Sequence, residues 1–225
     1  MSEDEIIRDT LRAFKGRELD ALFEQCNAPS RDVYERLWNG ISEIGVSSLG
    51  LPDEQGGLQL GPDACVAIMS ELGAGCPALA VGTILHLSAH AMLCASRPSL
   101  TIAAAIDKAL SSARFAWIGS PLAPEPEIGF AIGLEGQRIV LSGKQRCVQP
   151  FAEFLVIPAL LGDARRLVVL AADHAGLAYE GRPQSHGLRL LPVGELVAEG
   201  VHVPAAQVLD WPTHEPQPLH FSLYA

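Results

Sequence analysis

At about Ser112 the texture of this chain changes, and that change limits the folds open to it. Before it, apolar residues recur at helical spacing or fill whole helical turns. After it come short runs rich in β-branched residues: Phe115-Ala-Trp-Ile118, Ile128–Ile132, Arg138–Leu141, Phe154–Ile157, Leu167–Leu170, Glu195–Ala198 and Val201–Val203. Glycines and prolines separate these runs at hairpin-like distances. The pattern predicts an α+β chain: an N-terminal all-α domain over residues 1–112 and an antiparallel β-barrel or sandwich domain over 113–212, followed by residues 213–225.

Within the helical part, Glu3 to Asn27 read as two short amphipathic helices broken at Gly16, with Ile6, Ile7, Leu11 and Phe14 on one face and Leu19, Leu22 and Phe23 on the next. Ser30 offers an N-cap for a helix through Val33, Leu37, Ile41 and Ile44, which Gly45 would stop. Leu51 to Gly57 is a loop by its proline and glycine content, and Pro62-Asp63 opens a helix over Ala64–Leu72. From Leu72 through Ser96 there is no Asp, Glu, Lys or Arg, about the length of a spanning helix. Gly73, Gly75 and Pro77 break its front and His86, Ser88 and His90 dot its body, so it reads as a buried core helix and not a membrane span. Pro98 would start another helix through Ala103 to Leu110.

Charge narrows the partners. Sixteen basic against twenty-six acidic side chains leave a net charge of −10, which repels nucleic acid and anionic membrane surfaces. Anionic small ligands stay open, held by amides and by cations such as Lys144, Arg146, Arg165 and Arg166. The five cysteines are odd in number and form no C-x-x-C pair, and the acidic start Met1-Ser2-Glu3-Asp4-Glu5 has no apolar segment after it, so a reduced, cytoplasmic setting is expected. His86 and His90 share a helical face at i and i+4, but with no glutamate between them and no obvious third ligand they read as a packed or pocket-lining pair, and no metal site is expected. Gly73-Ala-Gly75 follows a helix where a dinucleotide fingerprint follows a strand. Gly45 to Gly50 lacks the G-x-S-x-G spacing of a nucleophile elbow, so Ser47 and Ser48 are not nucleophile candidates.

Three stretches together resemble the acyl-CoA dehydrogenase family. Ile44-Gly-Val-Ser-Ser-Leu-Gly-Leu-Pro52-Asp-Glu-Gln-Gly-Gly57-Leu-Gln-Leu-Gly61, continuing to Glu71-Leu-Gly73 and Pro77, follows that family's proline–acid–glycine-pair pattern closely. Leu141-Ser-Gly-Lys-Gln-Arg-Cys147-Val-Gln149 to Val156 matches a second family segment in part. Gly187-Leu-Arg189 through Glu195 to Val203-Pro-Ala-Ala-Gln-Val-Leu209 resembles the end of its middle barrel.

The resemblance implies FAD as cofactor and an acyl-CoA or related thioester as substrate, undergoing α,β-dehydrogenation. It maps the cofactor-binding places onto Trp117, Ile118, Gly119 and Ser120, and onto Cys147 and Gln149, where the family carries an aromatic ring and a hydroxyl. The family's threonine–glutamate–proline motif keeps only Pro121 here, and its glycine–serine–aspartate is absent. The family's catalytic glutamate lies in a third, helical domain beyond Ala225, so no catalytic residue is assigned; Glu54 and Glu71 read as loop and ion-pairing acids. A homodimer, or a hetero-oligomer with a chain supplying the helical bundle, is therefore expected. The alternative is a non-catalytic relative serving as a binding or scaffold subunit.

Overall fold

The computed structural model describes residues 2–19, 30–53, 56–96, 113–119, 128–148, 151–182, 188 and 190–213. The expected helix after Pro98 lies outside them, as do Leu22, Phe23, Ser120 and Gln149. Four α-helices come first: α1 (Glu3–Phe14), α2 (Arg31–Glu43), α3 (Pro62–Gly75) and α4 (Pro77–Ser96). Eight strands follow: β1 (Phe115–Trp117), β2 (Phe130–Glu135), β3 (Arg138–Val148), β4 (Phe154–Leu161), β5 (Ala164–Ala171), β6 (Leu177–Arg182), β7 (Val193–Val203) and β8 (Val208–Asp210).

Gly16 does not break the first helix, contrary to the expectation. A single π turn, Lys15–Leu19, continues α1. Strict 3.6-residue spacing would bring Glu18 to the core after Phe14; the wider turn adds one residue and delivers Leu19 instead. Leu19 is fully buried, and Glu18 pairs with Arg36 at 3.4 Å. The capping expectation for α2 holds: the Ser30 hydroxyl accepts the Val33 amide hydrogen at 3.5 Å. Gly45 follows the helix at φ +91, a conformation that leaves its amide free to bond the Ser42 carbonyl.

The charge-free stretch is divided between two helices. α3 runs on to Gly75, and the break falls at Cys76, which is extended (φ −147, ψ 91) as a residue before proline must be. Pro77 then starts α4, the one described helix long and apolar enough to cross a membrane. Four-fifths of its apolar window is buried by the protein itself, so it is a core helix. Ala78, Leu79, Ala80 and Ile84 join the helical core with Leu37, Ile41, Leu49 and Ile68. Leu85, Ala89, Met92 and Leu93 pack instead on the sheet, against Phe115, Trp117, Val156 and Leu167.

The sheet runs β6-β7-β3-β2-β4-β5-β8. β4 takes β5 along one edge, while β1 (at Phe154–Val156) and the start of β2 (at Ala159–Leu160) lie end to end along the other. Both of these last pairings are parallel, and the described pairings of the sheet are otherwise antiparallel, as expected. Period-2 alternation sorts the side chains. Ala116, Leu155, Ile157, Val168 and Leu170 enter the sheet's inner cluster, and Phe115, Trp117, Phe154, Val156 and Leu167 face α4. The runs Glu195–Ala198 and Val201–Val203 form one strand, β7. A bulge joins them, with Ser142 facing Glu199-Gly200, Gly200 at φ +62, and the Gly200 amide bonded to the Ser142 hydroxyl at 3.1 Å. The sequence reading passed over β6, which carries Glu180 and Gly181 in its middle, and β8, which is three residues long.

Candidate functional site

The four described residues of the expected cofactor cluster come to one end of the sheet, at the close of β1 and β3. Trp117 is buried on the α4 side, its ring edge-on to Trp211 with centroids 6.2 Å apart. Ile118 turns its side chain into the inner cluster and gives its amide hydrogen to the Val156 carbonyl at 2.9 Å. Gly119 lies against the Trp117 indole so closely that a Cβ there would stand 2.5 Å from Nε1. Cys147 lies on β3 opposite Gly194 of β7, in the same inner cluster as Ala116, Ile118 and Ala152. Ser120 and Gln149 are outside the described residues.

These four do not fit a flavin in the manner of the resemblance. The ring and the two inner side chains are occupied in packing, and the Ile118 amide is committed to the sheet. Burial pushes the Cys147 thiol up to about 11, so it stays protonated and unreactive. Native-state alkylation at pH 8 should therefore leave Cys147 unmodified, and the same reagent in urea should label it fully; peptide mass mapping reads both. Burial also raises the neighbouring Tyr179 phenol, with Cys147 contributing after it.

Behind this end, the helices and the sheet are joined by groups that sequence patterns did not single out. Arg114, just ahead of β1, donates from Nη2 to Glu153 at 2.7 Å and to Glu35 of α2 at 3.0 Å. Its own amide bonds Glu153 at 2.6 Å. Arg114 is nearly buried and both carboxylates are part-exposed. Replacing Arg114 by Ala should cost about 2 kcal/mol, between a surface pair and a buried one. Arg114→Lys should recover only part, since an ammonium cannot hold Glu153 through two nitrogens, as Nε and Nη2 do, while also reaching Glu35; urea melts measure both.

His86 and His90 are buried between α4 and β1, ring centroids 4.6 Å apart. The Phe115 amide hydrogen goes to His86 Nδ1 at 3.1 Å, and Trp38 meets the His86 ring edge-on at 5.1 Å. Both rings pack among aromatic neighbours, and among the described residues no group of three or more His, Cys, Asp or Glu side chains could hold a metal. In the helical layer, Tyr34 of α2 lies over Gly82 of α4, where a Cβ would meet its hydroxyl; that hydroxyl is buried with no hydrogen-bond partner among the described residues. Glu71, declined as a base, pairs with Arg12 at 3.1 Å on the helix surface.

The loop carrying the strongest sequence pattern is folded back on itself between α2 and α3. Leu58, Gln59 and Leu60 return their amides to Ser48, Leu51 and Leu49 at 2.9 to 3.1 Å. Val46, Leu49 and Leu51 are buried beneath it.

Residues 1–99 match the family model described as acyl-CoA dehydrogenase, N-terminal domain. No curated protein sequence matches the chain. Among solved structures, a glutaryl-CoA dehydrogenase from Mycobacterium smegmatis superposes with a TM-score of 0.75 at 19% identity, covering 98% of this chain and 58% of that one. Butyryl-CoA dehydrogenase from Megasphaera elsdenii gives 0.73 at 15% identity, with 96% and 60% covered. A dibenzothiophene monooxygenase from Paenibacillus sp. A11-2 gives 0.67 at 15% identity, with 93% and 53% covered. The chain thus spans under two thirds of the length of these structures, and at such identities the likeness is one of fold.

Proposed function

From a chain whose residues 1–99 belong to the acyl-CoA dehydrogenase N-terminal domain family and whose described fold is that of acyl-CoA dehydrogenases, we infer a part in the α,β-dehydrogenation of an acyl-CoA thioester. The chain supplies the helical wall and the sheet of an oxidoreductase assembly, and the flavin surface is completed by polypeptide outside the described residues. The observation that carries this reading is the folded-back loop at 44–53 and 56–61, whose sequence pattern and family match coincide with a hydrogen-bonded connection between α2 and α3. Removing an α-proton and a β-hydride requires a dry, shaped pocket. The apolar side chains of α4 and the helical core are packed within the chain and would back such a pocket from behind.

A second reading is favoured by the buried Cys147 and the engaged Ile118 amide: a binding or scaffold subunit that takes the thioester and leaves the redox step to a partner. Both readings place the chain in a homodimer or hetero-oligomer and in a cytoplasmic setting. Related folds serve dehydrogenases and a monooxygenase alike, so the reaction must be tested directly. Isothermal titration with octanoyl-CoA, against free coenzyme A as control, tests the thioester site that both readings share. Saturable binding that needs the acyl chain is expected; no binding to chain or assembly would overturn them.

A further inference from the structure

We propose that His86 is a positioning residue for the end of β1: by accepting the Phe115 amide hydrogen it fixes the Trp117–Gly119 segment against α4. The role at a ligand rests on the proposed function and on the resemblance that puts residues 117–120 at the cofactor, beside which the thioester would lie; the positioning itself does not.

Among the described residues β1 pairs with β4 alone. Its alternating amides therefore divide: that of Ile118 points to β4 and reaches Val156, whereas that of Phe115 points away, where no strand receives it. His86 fills that place at 3.1 Å, from a helix whose sheet-facing surface also carries Leu85, Ala89, Met92, Leu93 and His90, the last edge-on to the Phe115 ring. An acceptor at Nδ1 places the imidazole proton on Nε2, so the bond requires the neutral ring. Burial favours neutrality first, then His90 on the same helix and the Arg114 cation ahead of β1, itself held by Glu35 and Glu153; Trp38 from α2 packs edge-on against the ring. Glu153 and Phe154 return their amides to the Arg114 carbonyl, so α2, α4 and the start of β4 all meet at residues 114 and 115. Four residues on from Phe115, at about 3.3 Å each, this seat determines where Gly119 stands.

The test compares His86→Leu, which removes the acceptor, with His86→Asn, whose Oδ1 occupies the place of Nδ1. Amide hydrogen exchange and octanoyl-CoA titration are the readouts. In His86→Leu, exchange at Phe115 to Gly119 should rise at least about tenfold and octanoyl-CoA should bind about tenfold more weakly. Exchange in α3 and β5 should stay as in the wild type, and His86→Asn should restore both readouts to within about threefold. If His86→Leu does not fold, His86→Gln, which moves the acceptor one bond outward, should give the same local loss. Unchanged exchange at 115–119, or a uniform loss across α3, α4 and β5, would overturn the proposal. If the wild-type chain binds no octanoyl-CoA, the functional reading fails and the exchange pattern still decides the role of His86.

Discussion

Gly57→Ala is expected to destabilise the chain by about 3 kcal/mol or more, the upper range for overpacking. A Cβ at Gly57 would stand 2.0 Å from the Leu51 carbonyl oxygen and 2.5 Å from the Leu51 Cβ. Backbone cannot swing aside as a side-chain tip can. To relieve the clash the loop must open, and that breaks the Gln59 amide bond to the same Leu51 oxygen and exposes buried Leu49 and Leu51. Gly56 is the internal control: its φ is +72 but nothing lies within 4 Å of an added Cβ, so Gly56→Ala should cost only about 1 kcal/mol of left-handed strain. Urea denaturation of the two variants should separate them clearly, and equal midpoints would mean that the loop yields more easily than its geometry implies.

Stability should also fall steeply with acid because of His86. Burial, followed by repulsion from His90, lowers its folded-state pKa to about 3. In the unfolded chain the ring titrates at about 6.5. Between these values the unfolded state binds a proton that the folded state refuses, so acid favours unfolding. The loss should begin as pH drops below about 6.5 and continue to about 3, at roughly 1 kcal/mol per pH unit. Glu35, whose carboxylate is held below its usual range by Arg31 and then Arg114, works in the same direction. Chemical denaturation across that window measures the slope, and His86→Asn, which cannot titrate, should flatten it. An unchanged slope in His86→Asn would place the acid sensitivity elsewhere.

The helices and the division between helical and strand-rich parts were legible because they depend on local signals. Ser30, Gly45, Pro62 and Pro77 each act within one turn of chain. The π turn at Lys15–Leu19 was not legible, since the sequence shows Gly16 as a breaker and only the demand for Leu19 in the core explains the wider turn. β7 was split for a related reason: Gly200 looks like a hairpin boundary, and only its partner Ser142 makes it a bulge. The parallel entry of β1 beside β4 joins residues about forty positions apart, which no periodicity reports.

At the candidate site, motif positions told where to look but not what the side chains do there. Cys147 and Ile118 face inward because of strand parity, set by the register of β3 on β7 and of β1 on β4. The Arg114 fork and the His86 bond span 39 to 79 and 29 positions of sequence, so single residues gave no sign of them.

The most direct test of the central claim is the visible spectrum of the chain isolated with its native partners, recorded before and after anaerobic addition of octanoyl-CoA. The proposed function predicts an oxidised-flavin band near about 450 nm that bleaches on addition. A colourless preparation that still binds octanoyl-CoA would contradict the dehydrogenase reading and leave the chain as a thioester-binding subunit.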